Sequence, residues 1–486
     1  MLYYLAIITL VFLLLNLYLH DMDYMFPSCI FSAFFLLSEI VCILCIDTYE
    51  IVFHIETALV VVAGLVVFTV IGMIPRKTTP MHSEQSVFKV KRIDINNIWV
   101  ILLIILYIIT LFSFYQYLSR IAELYNLNYH YNGYVYSFGD KIELYDTLTK
   151  FWKETFSLLA VPIPMIYRIG NPICYACSFV MLYIIVNNYV SDKEINPLHV
   201  IVILLLFVHI MINGSRSPIF RVITMAVILY YILSSANKKS DENYIREKRS
   251  KNAFFKLILL LGVLIVICFI GLLVVMGRFD AESFNLGEYL FIYMGAPLVN
   301  LDNYIASHII VPHMELFGAQ TFSNFYNYMA KITGISTLQV DSVVGFAFSN
   351  NGIEIGNVYT TFFQMIYDFG YLGVIPLTSI IALYYCRTYQ DLTQNTNKGK
   401  VVNLKLLFYG YLFNDLIMLI FSNRFFGTIG EGVFIKLVIV IVFVVSILLE
   451  NDVSFGNVKL SKISLNDLFR LSDDGHVIIK TTKFGG

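Results

Sequence analysis

Residues 198–234 read LHVIVILLLFVHIMI-NGSRSP-IFRVITMAVILYYILS: an apolar run Leu198–Ile212, the turn Asn213-Gly214-Ser215-Arg216-Ser217-Pro218, and a second apolar run Ile219–Ser234. Both runs approach membrane-spanning length. A charged side chain at membrane depth is costly, rare and functional as a rule. Arg216 therefore asks for a reason. The topology below puts it on the outer side, where Lys and Arg are normally depleted. A cation at the outer rim of a helix bundle suits an anionic ligand presented at the membrane surface.

The whole chain has the same character. Its 486 residues are 58% hydrophobic and 14% charged, against about 25% charged in a soluble domain. The expected class is an all-α, polytopic membrane protein. Net charge is −1, which leaves no basic surface for nucleic acid. Cys174 and Cys177 form a C-x-x-C without a second pair. They read as small helix-packing residues, so neither metal nor cofactor is expected. Leu2–Leu19 has no basic leader and no small-residue cleavage site, and it reads as a retained span.

Eleven apolar stretches mark helices: Leu2–Leu19, Phe26–Ile46, Ile51–Ile74, Ile98–Tyr117, Ile173–Val190, Leu198–Ile212, Ile219–Ser234, Leu257–Met276, Val358–Cys386, Leu404–Phe421 and Val433–Leu449. Leu158–Tyr167, with Pro162 and Pro164, is expected to be re-entrant or interfacial. Linker 236–256 has seven Lys/Arg against three acids, and linker 75–96 has five against two. Arg387, Lys398 and Lys400 mark a third basic connection. All three are expected on the cytoplasmic side. The scheme closes with residues 118–172 and 277–356 outside, the polar tail 451–486 inside, and the N-terminus outside. A split span would make twelve helices and turn the N-terminus inward.

The large outer segment 277–356 lies between the eighth and ninth spans. Its apolar patches Tyr289–Val299, Ile305–Val311 and Phe322–Ile332 predict short helices lying on the bundle. Loops of this length are usually functional. In the other outer segment, alternating tyrosines about Asn132-Gly133 are a hairpin signal.

Arg168, Arg216, Arg278 and Arg424 stand at expected outer helix ends. Arg221 follows Arg216 by five residues, about 500° around a helix, so the two do not share a face. Guanidinium binds phosphate bidentately and stays charged. Several such groups clamp a pyrophosphate and stabilise it as a leaving group; the plainer reading is snorkelling to lipid headgroups. Asp368, deep in an apolar segment, needs a partner or a proton. It pairs with an arginine, caps a broken helix or acts as a base. His308 and His313, near Asp302 and Glu315, are surface or packing residues, or a general base for a sugar hydroxyl.

The helix–Asn213-Gly214-Ser215-Arg216-Ser217–helix, the outer segment after the eighth span, and Tyr359-Thr360 leading to Tyr367-Asp368-Phe369-Gly370 and Gly373 resemble bacterial oligosaccharide repeat-unit polymerases (Wzy-type, O-antigen and capsule). The resemblance covers residues 1–450. It implies a glycosyltransferase of the bacterial inner membrane that joins undecaprenyl-diphosphate-linked oligosaccharides, alongside a flippase and a chain-length regulator. It implies diphosphate contact by Arg216, aided by Arg278 and Arg424, with Asp368 in the catalytic set. Arg221, Asn357, Tyr359, His308 and His313 are the expected substrate-binding residues. The paired-arginine spacing of some members is absent: Val227 stands eleven residues after Arg216, and Tyr289 eleven after Arg278. An O-antigen ligase acting on lipid A-core and a transporter of the same lipids are the alternatives.

Overall fold

The computed structural model describes residues 1–74, 90–129, 136–150, 152–214, 217–238, 286–307, 310–313, 316–394, 402–449, 453–455 and 458–460. The expected span Leu257–Met276, the hairpin tip 130–135 and most of the tail lie outside these residues. The chain is mostly helical. Its strands, among the described residues, are two short antiparallel pairs, β1 (Ala347–Phe348) with β2 (Glu354–Gly356) and Val453–Phe455 with Val458–Leu460.

Among the described residues, six helices are long and apolar enough to cross a membrane: α1 (Leu2–Leu19), α2 (Pro27–Leu44), α3 (Ile55–Met73), α4 (Asn97–Tyr129), α7 (Met165–Asp192) and residues Pro218–Ala236 of α9 (Ser217–Lys238). Between them lie α5 (Phe138–Lys150), α6 (Lys153–Leu159) and the shorter apolar α8 (Pro197–Ile212). The chain is therefore a membrane protein by helix length and composition.

Three expectations change. Leu158–Tyr167 is no separate element: α6 ends at Leu159, residues 160–164 are not helical, and α7 begins at Met165. Pro164 sits at the N-cap, and α7 simply carries Pro172 within it. Second, α4 continues to Tyr129, so the segment from 118 begins as helix. Third, Val358–Cys386 is not one span. An eight-residue helix, Phe362–Phe369, stops at Gly370 (φ 66°), and a 24-residue helix starts afresh at Tyr371. The patches of the outer segment are helical where described: Leu286–Leu290 runs through a π-helical turn, Phe291–Gly295, into Ala296–Ser307, and Ser323–Thr333 follows. The exception is residues 310–311, at the end of the second patch, which are not helical.

The chain divides into two compact units. Unit one comprises Met1–Gln85, Phe284–Asn395 and Phe408–Ile435; unit two comprises Ser86–Ser283, Thr396–Leu407 and Lys436–Gly486.

In unit one, α1, α2, α3 and Tyr371–Gln394 pack together around Phe31, Phe35 and Phe68, with Phe31 and Phe68 stacked at 4.1 Å. Helices in lipid gain specificity from polar contacts. Here α1 and α2 share an antiparallel polar ladder: Thr9 donates to Glu39 at 2.9 Å, and Asn16 to Ser32 at 3.2 Å. The ends of the unit are told apart by their contacts. At one end Gln390 donates to the Gly72 carbonyl, Arg387 to that of Ile74, and Tyr389 to Asp23 at 2.6 Å. Beside them, burial holds the imidazole of His20, which stacks on Phe26, below its ordinary pKa. At the other end Asn350 and Asn351 donate to the carbonyls of Glu50 and Thr48. There Asp302, fully buried, accepts from both the backbone N–H and the ring of His54, which precedes α3.

In unit two, α4 packs on α7 and α8, and α7 on α9. Residues 90–96 strap one end: Asn188 exchanges hydrogen bonds with the backbone of Ile93, and Arg92 pairs with Asp94 and Glu194. Mid-span, the Tyr107 hydroxyl meets Ser178 at 2.6 Å. About two turns nearer the start of α7, Gly170 lies so close to α4 that a Cβ on it would stand 2.3 Å from the Thr110 hydroxyl. Gly170→Ala should cost about 1–3 kcal/mol through overpacking. Thr110→Ala removes the atom in the way, so the double variant should recover most of the lost thermal midpoint in detergent. Additive midpoints would show that α4 and α7 do not meet there.

Candidate functional site

In unit one the site is built on the broken helix. Phe362–Phe369 opens after Thr360, whose hydroxyl accepts from the Phe362 N–H, and buries Phe362, Phe363, Met365 and Ile366. Asp368 falls on the same buried side and is 1% exposed. Its carboxylate takes two consecutive backbone donors from a turn some fifty residues earlier in the chain, Gln320 N–H at 3.1 Å and Thr321 N–H at 2.6 Å. A buried acceptor bonded in this way is strongly stabilising; removing it strands two donors.

Other contacts converge on the same turn. The Thr321 hydroxyl donates to the Gln364 carbonyl, and the Asn423 amide donates to the Thr321 carbonyl. Asn324 reaches the Gly427 carbonyl at 3.0 Å. Gln320 goes on to hold Asp341 and Val343, and Asn327 holds Val340 at both its amide atoms. His313 stacks flat on Tyr367 at 4.1 Å, and its backbone N–H donates to the Tyr367 carbonyl. Tyr359, Phe363 and Tyr367 follow each other at four-residue spacing with rings in contact. Asn300 anchors the Val358 carbonyl.

Arg424 follows Asn423 and opens the short helix Arg424–Ile429. It is partly exposed, with its guanidinium 5.7 Å from the Phe421 ring. Asp368, His313, Tyr359 and Arg424 thus belong to one contact network, joined through Thr321–Asn423 and through Tyr367. Asn357 is exposed beside the network and is not drawn into it by any described hydrogen bond. Arg221 belongs to unit two, partly buried in the first turns of α9. Arg216, Arg278 and His308 lie outside the described residues.

Unit two holds the turn that leads into Arg216. Asn213 ends α8 and is fixed on both amide atoms, donating to the His209 carbonyl and accepting from the Tyr167 hydroxyl at 2.8 Å. Gly214 has φ +67°, a conformation that glycine adopts without steric cost. A Cβ there would also stand 3.1 Å from a carboxylate oxygen of Asp146. Burial, then the charge of Asp146, raises the neighbouring Tyr145 phenol.

Several of these residues escape a reading of the sequence. Gln320, Thr321 and Asn423 act through backbone atoms, which leave no motif. Asp146 had a signal: it interrupts the apolar face carrying Ile142, Tyr145 and Leu148. Glu39, fully buried in α2, was one carboxylate in a long apolar run. Among the described residues no group of three or more His, Cys, Asp or Glu is placed to hold a metal ion. Cys174 and Cys177 are free thiols buried within α7. Comparison with protein families, characterised proteins and solved structures found no match.

Asp368→Ala should therefore loosen residues 316–349 before it touches chemistry, at a cost of about 2–3 kcal/mol or more. Limited proteolysis in membranes should show faster cutting in that segment, with Asp368→Asn intermediate. Unchanged cutting together with lost activity would make the carboxylate a reacting group instead of an anchor.

Proposed function

We propose that this chain is an integral-membrane glycosyltransferase of the bacterial inner membrane. It lengthens a surface polysaccharide from undecaprenyl-diphosphate-linked oligosaccharide repeats. One observation carries the reading: residues 286–356, which the charge pattern puts outside, are hydrogen-bonded into the apolar helices through Asp368 and Asn423, next to Arg424. A cation and a protein cover thus meet at one end of unit one. The resemblance in the Asn213–Ser217 turn and in the residues from Tyr359 to Gly373 adds the substrate class. Eleven or twelve crossings belong to the same proposal.

In this account both polyprenyl tails lie in the bilayer. The acceptor sugar hydroxyl attacks the anomeric carbon of the donor. The carbon–oxygen bond to the diphosphate breaks, and undecaprenyl diphosphate leaves with the electron pair. Its developing charge is what arginines at the outer rim stabilise. Bidentate guanidinium suits this group better than lysine. Segment 286–356 covers the sugars.

Two measurements test the proposal. Impermeant thiol labelling of cysteines placed at Ser240 and Asn327, in intact spheroplasts, should modify position 327 and spare 240. The reverse pattern would invert the scheme and remove the outer site. Secondly, Arg216→Ala should lose about 3 kcal/mol or more of transition-state stabilisation, roughly 10²-fold in rate. Arg216→Lys should lose less, and both should insert normally. Polymer length on a glycan ladder, at matched protein level, reads the effect. A full-length ladder from the alanine variant takes Arg216 out of the mechanism, and transfer to lipid A-core would make the enzyme a ligase.

A further inference from the structure

The helix Ser323–Thr333 divides into two stripes. Phe325, Tyr328, Met329 and Ile332 stand at i, i+3, i+4 and i+7, the spacing of one apolar helix face. Asn324, Asn327 and Lys331 repeat at the same spacing on another side, with Asn327 about 160° around the helix from Phe325. On a protein surrounded by water the apolar stripe would be covered and the polar stripe left to solvent. The hydrogen bonds run the other way. The Asn324 amide donates to the Gly427 carbonyl, and Asn327 exchanges hydrogen bonds with the Val340 backbone. No residue of the helix is buried, and Phe325 and Ile332, at the centre of the apolar stripe, are 45% and 60% exposed. Full burial of such side chains is worth about 1.5–3 kcal/mol each, so the stripe is poorly placed for water.

The neighbours of this helix indicate what covers it. A Cβ on Gly430 would stand 3.0 Å from the Phe325 Cβ, and one on Gly432 would stand 2.3 Å from the Tyr328 ring. Gly432 opens the apolar helix Gly432–Phe443, which belongs to the expected span Val433–Leu449. Ile429 and Val433, next to these glycines in the chain, are 37% and 52% exposed. Exposed apolar residues thus run from the helix Ser323–Thr333 onto the first turn of an apolar helix. Tyr326 and Tyr328 are of the type that collects at a membrane–water boundary, and a lysine beside an apolar face reaches from it to the headgroups. A singly exposed apolar residue needs no explanation. A stripe on one helix face, joined to the entry of an apolar helix, does.

We propose that Ser323–Thr333 is an interfacial membrane helix. Phe325, Met329 and Ile332 enter the bilayer at the boundary of headgroups and acyl chains, about 5–10 Å deep. Lys331 meets lipid phosphate, and Asn324 and Asn327 stay on the protein side. The occupant of the open face is the bilayer that holds the chain's own spans. Thr321, which donates to Asp368, precedes this helix by two residues, so the turn bonded to Asp368 is held at the headgroup layer and does not stand off in water. The proposal takes no step from the glycosyltransferase reading.

Two measurements test it, both on the full-length protein in vesicles of phosphatidylcholine and phosphatidylglycerol. In the first, the native Trp99 and Trp152 are changed to phenylalanine, and Phe325→Trp, Ile332→Trp and Lys331→Trp are then made one at a time. Quenching by lipids brominated at different acyl depths should place positions 325 and 332 about 5–10 Å inside the headgroup boundary and position 331 at or outside it. Aqueous iodide should reach position 331 alone. Iodide quenching at all three positions, with no effect of brominated lipid, overturns the proposal. Shielding of 325 and 332 from both quenchers also overturns it, because a protein surface, such as a second copy of this chain, would then cover the stripe. The second measurement needs no substitution. Phosphatidylcholine with a photoactivatable group in its acyl chain should label residues 323–333 of the unaltered protein, as read by peptide mass mapping. Label confined to other helices would overturn the proposal even if the tryptophan variants failed to fold.

Discussion

The Asp368 carboxylate is the interaction on which unit one depends. It sits at the end of a helix that stops after eight residues, in surroundings that exclude water. An ionised group there is tolerable only with donors aimed at it. Gln320 and Thr321 supply them from a segment some fifty residues earlier in the chain. The bond therefore does two things at once: it satisfies the buried carboxylate, and it fixes the Gln320–Thr321 turn onto the helix Phe362–Phe369. Asn423, Asn324, His313 and Gln320 then extend outward from that turn, largely by bonding to backbone carbonyls.

The same logic recurs at three other places where polarity enters the apolar helices. Asp302 is held by His54 at the start of α3, Glu39 by Thr9, and Tyr107 by Ser178. Between helices in lipid such contacts specify register more than they add stability, each being worth about 0.6 to 2 kcal/mol. Close approach supplies the rest, as at Gly170 against Thr110.

Most of the helices were legible because a span of apolar residues has few alternatives in a bilayer. Leu2–Leu19 and Leu198–Ile212 were readable to within a residue. The short helices of the outer segment showed as apolar patches. The break at Gly370 did not, because Tyr359–Cys386 is apolar on both sides of it and hydropathy is blind to a change of backbone direction. Pro162 and Pro164 misled in the opposite sense: they suggested a re-entrant or interfacial segment, yet they lie in the short connection before α7, with Pro164 at its N-cap. In the candidate site, Asp368 announced itself as a charge in an apolar run, one of its possible roles being to serve a broken helix. Its partners could not be foreseen, since they are backbone N–H groups chosen by tertiary folding. Asp146 shows the remaining limit. It interrupts the apolar face of α5, but nothing in the sequence shows that the fold sets Gly214 against it.

The central claim is that this protein makes glycosidic bonds at the expense of a lipid diphosphate. The most direct measurement is the stoichiometry of the reaction in vesicles holding only the purified protein and a single-repeat undecaprenyl-diphosphate-linked oligosaccharide. The account predicts products of two or more repeats, with one undecaprenyl diphosphate released for every bond formed. Substrate that crosses the bilayer with its single repeat intact and no undecaprenyl diphosphate released would contradict it, and would make the protein a transporter.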